Sequence, residues 1–89
     1  MKAVITFIGK DQIGIVHKAT EILVKYSLNI VDINQTVMED YFTMVMLVDI
    51  SQSTVEFNEI VEAYNRLGEE IGMYIKVQHE AIFDAMHQI

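Results

Sequence analysis

The residues with most capacity for chemistry lie in one short stretch, Gly9-Lys10-Asp11-Gln12-Ile13-Gly14. Its two glycines are free of Cβ sterics, so backbone there can approach a ligand closely. A helical apolar pattern starts directly behind it, and the first unpaired N–H groups of such a helix point into the same space. A small anion, such as the carboxylate of an amino acid, fits that geometry. The other reading is that Gly9 and Gly14 only shape a tight turn and let a helix pack on a sheet. Covalent catalysis has no comparable nucleus. Cysteine is absent, His17, His79 and His87 fall in separate elements, and no Ser-His-Asp arrangement can be assembled. His17 sits on the outer face of the first helix, where it is solvated or borders a pocket. His79, Glu80, Asp84 and His87 are metal-compatible types, but on an amphipathic tail they read as its polar side. The sequence therefore predicts a binding module that is not an enzyme, with no metal and no cofactor.

Composition narrows the classes. At 89 residues the chain forms one domain, read as a unit over 1–80 with a helical extension at 81–89. A domain this small buries only about 60–65% of the surface its unfolded chain exposes. A hydrophobic fraction of 52% is high for that size and points to apolar surface kept for a partner. The net charge of −7 with only six basic residues disfavours nucleic acid, since phosphate contacts need clustered Lys and Arg. No stretch approaches the ~18 apolar residues of a membrane span. Met1-Lys2 followed by a strand pattern has no signal-peptide anatomy, and the lack of cysteine fits the cytoplasm.

The elements that must position the turn follow from periodicity. Lys2 to Ile8 is a strand with apolar residues on both faces. Val16, Ala19, Ile22, Leu23 and Tyr26 repeat at helical spacing. From Asn29 to Glu39, Val31, Ile33 and Val37 alternate with Asp32, Asn34 and Thr36. Glu39-Asp40 makes a two-residue hairpin turn, and Tyr41 to Ile50 is again apolar on both faces. Ser53 and Glu56 have the spacing of a capping box ahead of the stripe Phe57, Ile60, Val61, Tyr64, Leu67 and Ile71, which ends at Gly68 or Gly72. Met73 to Gln78 is a last strand, and Ala81 to Ile89 a short amphipathic helix.

The order β-α-β-β-α-β with right-handed crossovers is an α+β, ferredoxin-like sandwich. Strands one and three, apolar on both faces, are central; strands two and four are edges. The predicted spatial order is 4-1-3-2, with both long helices on one face. The second face needs a cover, either the C-terminal helix or another subunit.

Asp11-Gln12-Ile13-Gly14-Ile15-Val16, followed by Leu28-Asn29-Ile30 and Gln35, resembles the opening of an ACT domain, a small regulatory module that binds amino acids and other small ligands across a dimer interface. The similarity is to stand-alone ACT proteins and to the modules of the glycine-cleavage repressor and formyltetrahydrofolate deformylase. It covers roughly Met1 to Gln78. The resemblance implies ligand contacts at Asp11, Gly14 and Asn29, with Gln12, Ile13 and Ile15 beside them. Backbone N–H groups near Gly14 would take a carboxylate, Asp11 would accept from an ammonium, and the Asn29 amide could do either. Asp11 is equally suited to be a helix N-cap, and Asn29 a polar residue at a strand start. The chain departs from the family at Ile13, where proline is usual, and at Gly9, where some serine-binding members carry histidine. The resemblance also implies a homodimer, with the second strand and first helix near the seam, that signals in trans to a partner enzyme or regulator. The alternative is a dimeric interaction module of the same fold without a small ligand.

Overall fold

The computed structural model describes residues 1–10 and 14–87, with side chains through residue 84. Seven elements follow in order: β1 (Lys2–Lys10), α1 (Ile15–Tyr26), β2 (Asn29–Met38), β3 (Tyr41–Asp49), α2 (Phe57–Ile71), β4 (Tyr74–His79) and α3 (Glu80–His87). The sheet order is β2-β3-β1-β4, and every pairing is antiparallel. This is the ferredoxin-like arrangement expected from the two doubly apolar strands, which take the centre.

The core lies between one sheet face and two helices. Ala3, Ile5 and Phe7 of β1 and Phe42, Met44, Met46 and Val48 of β3 meet Ile15, Ala19 and Leu23 of α1 and Ile60, Tyr64 and Leu67 of α2. The two helices are tied at their crossing, where the Tyr64 hydroxyl donates to the Ala19 carbonyl at 2.9 Å. Burial pushes the Tyr64 phenol well above its ordinary range, so it stays a donor. Its ring meets Phe7 edge-on at 5.9 Å, the favoured aromatic geometry.

Local chemistry corrects four boundaries. β1 runs two residues past Ile8, so Gly9 is a strand residue opposite Phe42 and not one end of the turn. A Cβ on Gly9 would lie 3.0 Å from Met73 Cγ, which gives that glycine a packing role. The capping box does not form. Ser53 Oγ donates to the Val55 carbonyl at 2.7 Å and accepts from the Val55 N–H, so α2 begins only at Phe57, with Glu56 an N-cap that makes no side-chain capping bond. The first helix starts at Ile15, which is buried, whereas Val16 is exposed. The last helix starts at Glu80, one residue early, and positions 88 and 89 lie outside the described residues.

Glu39-Asp40 does form the β2–β3 turn, with Glu39 in the left-handed region at φ 57°. Gly72 ends α2 at φ 68°. Gly68, the other candidate, sits inside the helix, where an added Cβ would stand 2.7 Å from the Met73 carbonyl oxygen. Replacing Gly68 by Ala gains about 1 kcal/mol of helix propensity, but overpacking against rigid backbone costs about 1–3 kcal/mol. The expected net effect is destabilising, read as a lower melting temperature for Gly68→Ala.

The second sheet face is covered in part. Val4 points to it and is only 4% exposed, while Ile8, four residues along the same strand and the same face, is 41% exposed. Helix α3 packs against β1 and β4, over that half alone. No helix among the described residues is long and apolar enough to cross a membrane.

Candidate functional site

Gly14 is the described remnant of the turn. It is the N-cap of α1, in the left-handed region at φ 86°, with no side-chain capping bond. Among the described residues an added Cβ there would meet nothing within 4 Å. The positive end of α1 begins at this residue. The Gly14 carbonyl accepts from the Lys18 N–H at 3.0 Å, and the N–H groups of the first turn behind it have no acceptor within the helix. Asp11, Gln12 and Ile13 lie outside the described residues. The Ile15 side chain is in the core, which leaves only its backbone to a ligand.

Asn29 is exposed and opens β2 opposite Asp49. Asp49 in turn pairs with Lys2, whereas Lys10 pairs with Tyr41 at the other end of the sheet. The eight-residue rise of β1 separates those ends by roughly 26 Å. Gly14 follows the Lys10 end and Asn29 sits at the Lys2 end, so one chain does not bring them together. At Asn29's end, Asp49 accepts from the Ser51 hydroxyl at 2.6 Å and the Ser51 N–H at 2.9 Å. These bonds hold its carboxyl below the usual carboxylate range, and the charge stays committed to that turn.

β2 adds what periodicity alone did not reveal. All ten of its residues are exposed, and among the described residues it pairs only with β3. Ile33 and Val37 lie on the helix-covered side, opposite buried Met46 and Phe42, yet neither is covered. An apolar edge strand of this length is a template for another chain. The signal was present as apolar alternation without an identifiable partner.

The remaining candidates are otherwise engaged. His17 pairs with Glu21 at 3.3 Å on the rim of an α1–α2 groove of about 340 Å³. His79 stacks on Phe57, ring centroids 3.8 Å apart. Among the described residues no three His, Cys, Asp or Glu side chains gather as metal ligands would.

Residues 2–78 match the ACT domain family. The chain belongs to it. A UPF0237 protein of Methanococcus maripaludis is 56% identical over 86 residues, covering 97% of this chain and 96% of its own length. An ACT domain protein from Streptococcus pneumoniae superimposes with a TM-score of 0.80 at 39% identity, covering 98% of both chains. The ligand-free regulatory subunit of aspartate kinase from Thermus thermophilus superimposes with a TM-score of 0.67 at 26% identity, over 86% of this chain and 50% of the other. ACT domains are in general regulatory modules that bind small ligands, and they commonly dimerise.

Proposed function

We propose that this ACT-domain protein is a non-enzymatic regulatory module that binds an amino acid at the turn between β1 and α1 and acts in trans on a partner enzyme or regulator. The observation that carries the reading is Gly14, a left-handed N-cap without a side-chain capping bond, where an added Cβ meets no described residue within 4 Å. The α-carboxylate takes the N–H groups of the first turn of α1, and Asp11 accepts from the ammonium.

The second half of the site comes from a second copy. Two chains paired antiparallel along β2 would bury Ile33 and Val37 and satisfy both free strand edges. That pairing turns one chain's β2 end for end, so its Asn29 lies toward the Gly14 end of the other. A two-fold axis then makes two equivalent sites, each with Gly14 from one copy and Asn29 from its neighbour.

Thermal shift against the twenty amino acids tests ligand binding. At a hundredfold excess over Kd the ligand stabilises the fold by about 2.7 kcal/mol, which raises Tm by roughly 10–20 °C for a domain of this size. No shift with any amino acid would favour a dimeric interaction module without a small ligand.

A further inference from the structure

The fold gathers two aromatic rings and two cations on the sheet face opposite α1 and α2. Among the described residues Tyr41 and Tyr74 are the only exposed Tyr or Phe side chains, each 55% exposed. One opens β3 and the other opens β4. Antiparallel register brings them together across β1, where Lys10 pairs with Tyr41 and Ile8 with Tyr74. Phe7, Phe42 and Ile75 alternate inward to the helices, so Ile8, Lys10, Tyr41, Tyr74 and Lys76 share the other face. We propose that this end of the sheet binds a nucleoside monophosphate, whose base stacks on the tyrosines and whose phosphate is held by Lys10 and Lys76.

Strand geometry sets the size of the platform. Two strand spacings across and one two-residue step along place the tyrosine Cα atoms roughly 12 Å apart. At that separation one flat ring system stacks on either tyrosine or between both. Ile8, 41% exposed, is the apolar floor beneath it. Stacking of this kind needs a ring face and no particular base edge, and these strands present faces without an ordered array of donors.

Charge selects the same ligand. The chain carries a net −7, yet this end of the face has two exposed lysines and no carboxylate among its described residues. Asp32 lies in the row of Leu47 and Val4, toward α3, and Glu39 and Asp40 turn the hairpin beyond Tyr41. Neither Lys10 nor Lys76 forms an ion pair among the described residues. A lysine holds phosphate as a point charge, and two of them match the charge of about −2 on a phosphate monoester at neutral pH. A nucleic-acid strand needs many more cations and meets the chain's net negative charge, so the ligand is a single nucleotide. The site uses neither Gly14 nor the β2 edge and is independent of the amino-acid reading.

The test is an NMR titration of the full, isotope-labelled chain with AMP, adenosine and inorganic phosphate. AMP is expected to shift the amides around Ile8, Lys10, Tyr41 and Tyr74, and to bind at least about fivefold more tightly than adenosine or inorganic phosphate. Both tyrosines are exposed, so Tyr41→Ala and Tyr74→Ala leave the core intact. Each is expected to weaken AMP by at least about fivefold, the lower end of what one base–aromatic stack contributes. Lys10→Gln combined with Lys76→Gln should bring AMP down to the affinity of adenosine. Absence of saturable AMP binding, equal affinity for AMP and inorganic phosphate, undiminished AMP affinity in both tyrosine variants, or shifts that leave this sheet face untouched would each overturn the proposal.

Discussion

Gly14→Val is expected to abolish amino-acid binding while leaving the fold in place. Two separate effects act at this position. A branched side chain enters the space at the start of α1, which no other described residue occupies within 4 Å, and displaces the carboxylate from the backbone donors. A β-branched residue also resists φ 86°, which stores about 1–3 kcal/mol of strain. The mutant should melt lower by roughly 4–24 °C, yet remain folded by circular dichroism at room temperature. Calorimetry with the ligand found by thermal shift should show heat for the wild type and none for the mutant. Gly14→Ala separates the two effects, because it carries the φ strain with a smaller side chain.

Phe7→Ala should have the largest effect on stability. Phe7 is fully buried and holds Tyr64 in an edge-on contact, and Tyr64 in turn bonds α1 to α2 through Ala19. Removing a core phenylalanine costs about 3–5 kcal/mol. Small domains have about 5–15 kcal/mol in total, so one substitution takes a large share of it. Chemical denaturation should show the midpoint falling sharply with little change in slope. A loss under 1 kcal/mol would mean that the β1–α2 packing described above is not what holds the sandwich together.

Much of this architecture was legible because it rests on pattern. Apolar residues on both faces of β1 and β3 have only one place to go, the centre of the sheet, and the edges follow. Where local hydrogen bonding competed with pattern, sequence reading failed. Ser53 has the spacing of a capping box, but its hydroxyl closes a tighter loop onto Val55, an option open to any serine near a helix start. Gly9 carries the local signal of a turn, but what favours glycine there is the Met73 side chain beside it, a long-range contact that no local window contains.

The site was legible only as a list of residues. A helix that returns the chain to the far end of the sheet necessarily separates Gly14 from Asn29, so the topology itself divides the implied ligand contacts between two ends. The apolar edge of β2 carries the complementary information, since Ile33 and Val37 alternate as though covered yet are exposed in one chain. In the proposed pairing along β2 these two facts answer each other.

The central claim is that each ligand site takes Gly14 from one copy and Asn29 from another. Gly14→Val and Asn29→Ala chains should each fail to bind alone. Mixed in equal amounts and allowed to exchange, half of the dimers pair the two variants, and each of those regains one intact site of two. Titration calorimetry of the mixture should then give about a quarter of the wild-type number of sites per chain, at wild-type affinity. A mixture that binds nothing, although each variant dimerises, would contradict the shared site.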